Sequence, residues 1–221
     1  MALAIFDLDN TLLAGDSDYL WGRYLVARGV VDGDRYEAAN ARFYADYKAG
    51  QLDIDAFLAF ALRPLRDNPQ EALLAWRQEF LDTCIASLIR QPALDLVAKH
   101  RRAGDTLLVI TATNAFVTAP IVERFGIPHL IATEPERNGM GFTGRVAGTP
   151  AFREGKVTRL MAWLAEQGES LHGSHFYSDS INDLPLLERV DNPVAVDPDP
   201  LLAEAAQRRG WPVISLHGAA R

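Results

Sequence analysis

Residues 2–6 form a short, unbroken apolar run, the pattern of a strand buried on both faces. From residue 16 to about residue 90 no comparable β-branched run follows. Leu20, Trp21, Tyr24 and Leu25 recur there at helical spacing, as do Phe57, Leu58, Phe60 and Ala61, and Leu73, Leu74, Arg77, Phe80 and Leu81. That stretch is expected to be all-helical. Beyond Pro92 helix and strand alternate. The pattern predicts a helix over 93–103 stopped by Gly104, a strand over 106–110, a helix over 115–125 ending near Gly126, and a strand near 129–132. Asn138-Gly139 is a hairpin signal inside a two-stranded excursion over 133–149. A helix over 155–167 and strands over 175–177, 194–196 and 213–216 complete the series. Alternation of this kind predicts an α/β fold, a parallel sheet with helices on both faces.

Composition narrows the class. The 221 residues carry 22 Lys and Arg against 29 Asp and Glu, a net charge of −7, with 48% hydrophobic and 23% charged residues. These are values of a globular chain, and the acidic balance argues against broad nucleic-acid or anionic-membrane binding. The single cysteine, Cys84, excludes an internal disulfide and any zinc site needing two thiolates. The apolar run at the start is too short for a signal peptide, and the longest uncharged run, over 106–122, is interrupted by threonines, Asn114 and Pro120. A cytoplasmic protein with no membrane partner is the expectation.

In open parallel sheets ligands bind beyond the carboxyl ends of the strands. Asp7-Leu8-Asp9-Asn10-Thr11 follows the first expected strand, Thr111 to Asn114 the second, and Asp179-Ser180-Ile181-Asn182-Asp183 the strand at 175–177. Lys156 stands at the start of the preceding helix. Four carboxylates, a lysine and several hydroxyls would gather at one sheet edge. That set suits phosphoryl transfer, with Asp7 and Asp179 as hard oxygen ligands for Mg²⁺, and Asp9 placed to exchange a proton. The competing readings are a capping turn for Asp7 and Asp9, a backbone-bonded hydroxyl for Thr111, and a solvated lysine for Lys156. The last is countered by the poor fit of a cation at a helix N-terminus.

The ordered set Phe6 to Thr11, Thr111, Lys156 and Asp179-x-x-Asn182-Asp183 resembles the four motifs of the haloacid dehalogenase (HAD) superfamily, in its phosphoserine-phosphatase-like subgroup. The resemblance implies a Rossmann-like catalytic core over 1–14 and 91–221, with a helical cap inserted over 15–90. It implies Asp7 as nucleophile, Asp9 as general acid and base, and Thr111 and Lys156 on the phosphate. Mg²⁺ would be held by Asp7, the Asp9 carbonyl and Asp179, with Asp183 behind it, and Ser180 and Asn182 near metal or phosphate. Asp16 aligns with the acidic residue that the subgroup uses for a substrate ammonium group.

The insert holds more than half of the chain's Trp, Tyr and Phe residues. Tyr19, Phe43, Tyr44 and Tyr47 are the candidates to line a cavity over the site, and Gly15 is a candidate hinge. The subgroup's arginine for the serine carboxylate falls on Ala61, and Arg63 lies about 200° away around a helix. Phosphoserine is therefore disfavoured. The segments at 14–25, 43–53, 110–121, 176–187 and 195–200 are similar to the subgroup's histidinol-phosphatases, which implies an amine- and imidazole-bearing phosphate ester as the small-metabolite partner. A phosphotransferase remains open. A phospho-receiver domain and a dehalogenase are both disfavoured by the second carboxylate, Asp9.

Overall fold

The computed structural model describes residues 2–218. The strands, in chain order, are β1 (Leu3–Phe6), β2 (Thr106–Asn114), β3 (His129–Thr133), β4 (Pro135–Asn138), β5 (Gly141–Val146), β6 (His175–Ser178), β7 (Asn192–Val196) and β8 (Val213–Ile214). The α-helices are α1 (Ser17–Ala27), α2 (Gly33–Lys48), α3 (Ile54–Ala61), α4 (Arg63–Asp67), α5 (Gln70–Phe80), α6 (Gln91–Ala103), α7 (Ala115–Arg124), α8 (Glu154–Gln167), α9 (Leu184–Leu187) and α10 (Pro200–Arg209). A six-stranded sheet runs β3-β2-β1-β6-β7-β8 with every pairing parallel, and β4 and β5 form a separate antiparallel pair.

β1 is central, so both of its faces must be apolar. Ala4 and Phe6 pack with Val109, Val97 of α6 and Phe116 and Ile121 of α7. Leu3 and Ile5 pack on the opposite face with Leu108, Phe176, Leu160 of α8 and Leu202 of α10. After β1 the chain passes through α1–α6 to reach β2 on one side, and later enters β6 on the other. The crevice beyond Phe6 is thus a topological switch point, the place where such sheets bind ligands.

The stretch between β1 and β2 is helical as expected, and Asp16, Asp32 and Asp53 accept backbone N–H bonds as N-caps of α1, α2 and α3. Its two connections to the sheet run side by side, with Leu13 bridged to Ile89 and Ala14 N donating to Leu88 O at 3.0 Å. The helices do not all pack in one body. Trp21 and Leu25 of α1 and Leu73 and Phe80 of α5 belong to the same apolar cluster as Phe6 and Val109. Phe43 of α2, Leu52 and Phe57 of α3 instead cluster with Phe152 and Ala112 above the crevice. Gly15 lies beside Leu88 in the paired connections.

Three elements differ from the sequence expectation. β2 continues to Asn114 because its end still pairs with β3 across a register shift between Thr111 and Asn114. β8 stops at Ile214 because Leu216 N turns to the Asp197 carboxylate at 2.8 Å. α3 ends at Ala61 and α4 restarts at Arg63, with a proline in its first turn, so residues 61 and 63 do not share one helix.

The start of α8 depends on a close backbone approach. A Cβ built on Gly155 would lie 2.1 Å from Pro150 O. Gly155→Ala should therefore displace the turn that presents Lys156. The expected cost is about 2 kcal/mol, read as a Tm drop of roughly 4–8 °C; an unchanged Tm would show that the turn yields freely.

Candidate active site

Asp7 continues β1 by one residue, its N–H donating to Tyr177 O at 2.9 Å. Residues Leu8–Leu12 then wind into a tight irregular turn in which Asp9 is extended and Asn10 has φ of 57°. The turn brings Thr11 inward, where its Oγ1 donates to Asp179 Oδ1 at 3.1 Å. Asp179 follows β6, so the two strand ends are joined through this hydroxyl.

Lys156 lies at the centre, 1% exposed. Its Nζ donates to Asp7 Oδ1 at 2.7 Å and to Asp183 Oδ2 at 2.8 Å. Ser178 Oγ donates to the same Asp183 oxygen at 2.7 Å. Burial alone would pull the lysine ammonium down, but Asp183 and Asp7 outweigh it and hold it charged. Burial pushes Asp7 up to about 7, opposed by Lys156 and reinforced by Asp183. Burial also raises Asp179 well above the carboxylate range, with Asp7 and Asp183 adding to it.

Asp9 is held at both oxygens. Ser17 N donates to Oδ1 at 2.7 Å and Thr113 Oγ1 to Oδ2 at 2.8 Å. Burial, then Asp16, pushes it up to about 6 against the Ser17 N–H. Thr111 is buried beside it, its Oγ1 accepting from Thr113 N at 3.2 Å.

A cavity opens from Asp7, Asp9 and Thr111 toward the helices. Asp16, Asp18, Asn40, Leu52, Ile54 and Phe57 line it, together with Tyr19, Phe43, Tyr44 and Tyr47, the four aromatic residues expected there. Tyr19 and Tyr44 pack ring to ring at 4.9 Å. No Lys or Arg is among the lining residues. Asp16 uses Oδ1 to cap α1, accepting from Asp18 N and Tyr19 N. Asp18 has one long contact, from Asn114 Nδ2 at 3.5 Å. Both carboxylates are partly exposed, to the cavity rather than to open solvent, and burial raises both, Asp18 the further because Asp16 and Asp9 are near.

Asn182 and Ser180, expected near metal or phosphate, are buried beside Asp179 and Asp183. Asn182 donates to Tyr47 O at 2.9 Å and accepts from Arg153, and Ser180 Oγ accepts from Asn182 N. Neither lines the cavity. Arg63 also lies outside it, paired with Asp67 at 3.2 Å on the surface. The motif pattern does not point to Thr113 or Ser17. Thr113 nevertheless carries a signal, since it lies two residues beyond Thr111 and shares its strand face.

A model of the haloacid dehalogenase-like hydrolase family matches residues 4–188. The chain belongs to this family. It is 49% identical to a histidinol-phosphatase of Neisseria meningitidis serogroup C, over 96% of this chain and 98% of that protein. The crystal structure of a Bordetella pertussis protein of unknown function superposes with a TM-score of 0.91 at 46% identity, over 97% of this chain and 98% of that one. A phospho-aspartyl intermediate analogue of phosphoserine phosphatase shares the fold, with a TM-score of 0.72 at 18% identity over 98% of this chain and 93% of that one.

The buried array of this HAD-like hydrolase has a charge imbalance. Lys156 is one cation beside Asp7, Asp179 and Asp183, and the Oδ2 atoms of Asp7 and Asp179 have no protein partner among the described residues. Two unpartnered carboxylate oxygens in a negative pocket are the donor chemistry of a hard divalent cation. Asp183 is engaged by Lys156 and Ser178, and the Asp9 carboxylate by Ser17 and Thr113. Among the described residues no three or more His, Cys, Asp or Glu side chains converge as a metal site. No helix of the described residues is long and apolar enough to cross a membrane.

The raised values of Asp7 and Asp9 have a consequence for stability. Both exceed the ordinary 3.8, so the folded state holds more protons than the unfolded one between about pH 4 and pH 7. In chelator, stability should fall as pH rises through that window, by on the order of 1–3 kcal/mol. Melting curves at about pH 5 and about pH 8 test this. Asp7→Asn should flatten the slope, and a wild-type Tm that rises across the window would contradict it.

Proposed function

We propose that this phosphatase hydrolyses histidinol phosphate, with Mg²⁺, through an aspartyl-phosphate formed on Asp7. The observation that carries the substrate reading is the cavity lining: Asp16 and Asp18 beyond the catalytic Asp7 and Asp9, and a set of aromatic side chains, with no Lys or Arg among the described lining residues. An ester that places an amine and an imidazole in this cavity meets Asp16 and Asp18 for its N–H groups, and Tyr19, Phe43 and Tyr44 for its ring. A substrate carboxylate would face Asp16 and Asp18 without a bidentate arginine, because Arg63 points away and the cation beside Asp16, Lys48, is drawn over the Tyr44 ring at 5.0 Å. The 49% identity to a named histidinol-phosphatase supports the same reading.

In the first step an Asp7 oxygen attacks phosphorus, the phosphorus–ester oxygen bond breaks, and Asp9 gives its proton to the departing alcohol. In the second, Asp9 takes a proton from water as that water attacks the aspartyl-phosphate, releasing phosphate and restoring Asp7. A carboxyl raised to about 6 is suited to both halves near neutral pH. Lys156 has a third N–H beyond those spent on Asp7 and Asp183, and with Thr111 it binds the phosphoryl oxygens. Mg²⁺, when bound, supplies the positive charge that lets one anion approach another. Asp7, Asp179 and the Asp9 carbonyl are the groups to hold it. Asp183 keeps Lys156 in place.

A phosphomonoester panel tests the substrate. Histidinol phosphate should exceed phosphoserine by about 100-fold or more in kcat/KM, the expected value of meeting rather than missing buried charge partners. Asp16→Asn should cut kcat/KM for histidinol phosphate at least about tenfold while sparing an uncharged ester such as phenyl phosphate. Equal turnover of all three esters would overturn the reading.

A further inference from the structure

Three residues before Lys156, the backbone of Arg153 has φ of 49° and ψ of −121°. This is a region natural to glycine and costly for a residue with a side chain, on the order of 1–3 kcal/mol. Strain of this kind persists where the side chain has a task. The guanidinium of Arg153 lies over the Phe152 ring at 5.0 Å and reaches across to the helical insert. Its Nη2 donates to Gly50 O, and its Nε and Nη2 donate to Asn182 Oδ1 at 3.1 and 3.0 Å. Asn182 in turn donates through Nδ2 to Tyr47 O at 2.9 Å.

Both acceptors belong to the end of α2. Gly50, with φ of 66°, closes that helix, its N–H bonding to Tyr47 O while Gln51 N bonds to Asp46 O. The last carbonyls of a helix carry partial negative charge; here Tyr47 O accepts from the Asn182 amide, and the guanidinium of Arg153 reaches Gly50 O just past the helix end. α2 is also the helix that carries Phe43, Tyr44 and Tyr47 of the cavity. On the other side, Arg153 precedes Lys156 by three residues, and Asn182 adjoins Asp183, which binds Lys156. One fork therefore joins the aromatic wall of the cavity to the two loops that hold the central ammonium.

We propose that Arg153, acting through Asn182, is a positioning residue that latches the end of α2 over the site and holds the aromatic wall at a fixed distance from Lys156 and Asp7. The proposal rests on the phosphatase reading only for its kinetic arm. α1 and α5 are anchored in the main apolar core, whereas α2 packs on α1 and α3 on β5, and both join the small Phe43–Leu52–Phe152 cluster beside this fork. The latch is the polar part of the contact between the end of α2 and the loops that carry Arg153 and Asn182.

Arg153→Gly is the informative variant, because glycine accepts the φ of 49° and removes only the side chain. Hydrogen exchange at residues 45–52, followed by mass spectrometry on the full chain, reads the latch without substrate. Loss of charge-assisted bonds should speed exchange there by roughly 10- to 100-fold, with Tm unchanged or raised. With a phosphomonoester substrate KM should rise by about tenfold, more than kcat falls. Arg153→Lys, which keeps the charge but not the fork, should restore part of both effects. Asn182→Ala repeats the measurement from the other partner. Wild-type exchange at 45–52 in both Arg153→Gly and Asn182→Ala would overturn the proposal, whatever the activity. Faster exchange in a protein that turned over no phosphate ester would leave the latch standing and reject the phosphatase reading alone.

Discussion

A charged lysine with almost no exposure, shared between two buried carboxylates, is the constraint on which the site depends. Taking an ammonium and two carboxylates out of water costs several kcal/mol per ion, and removing one partner from such a set costs about 3–5 kcal/mol. The array is tolerable because each charge has a partner: Lys156 bridges Asp7 and Asp183, Ser178 binds Asp183, and Thr11 binds Asp179. These residues come from β1, the turn after it, β6 and the start of α8. The parallel sheet is what places those ends side by side. The same arrangement leaves a surplus of negative charge around Asp7 and Asp179, which a divalent cation and the phosphoryl group are suited to share.

The helical insert extends this chemistry into selectivity. Its anchored helices, α1 and α5, continue the core that packs against Phe6, so Asp16 and Asp18 at the start of α1 stand at a fixed place relative to Asp9. The overhanging α2 and α3 bring aromatic side chains down onto the opening. On the proposed reading, Asp16 and Asp18 among aromatic walls would favour cationic N–H groups over a carboxylate. The surface position of Arg63 follows from the break between α3 and α4, which a proline in the first turn of α4 reinforces.

Much of this is legible in the sequence because a buried parallel sheet leaves a strong record. Continuous apolar runs mark the strands, and the polar residues just past them mark the edge where ligands bind, so residue order alone groups Asp7, Thr111 and Asp179 at one site. The insert's aromatic residues are legible mainly as bundle core, and Tyr19, Phe43, Tyr44 and Tyr47, the four candidates named from the sequence, line the cavity. What is not legible depends on long-range geometry. Thr113 reaches Asp9 only because β2 runs past residue 110. Asn182 resembles a ligand by its place in a motif, yet it faces Tyr47 O and Arg153, a pairing of residues far apart in the chain. The strained backbone of Arg153 has no signature in residue pattern, since nothing local demands a non-glycine residue there.

In the proposed mechanism the Lys156-bound carboxylate of Asp7 takes the phosphoryl group. Rapid mixing of enzyme, Mg²⁺ and substrate, followed by acid quench and borohydride reduction, would convert an acyl phosphate to the corresponding alcohol. Peptide mass spectrometry would then find the residue. The account predicts homoserine at position 7, formed only with substrate and Mg²⁺ present. Homoserine at position 9, or at no aspartate under conditions of full turnover, would contradict it.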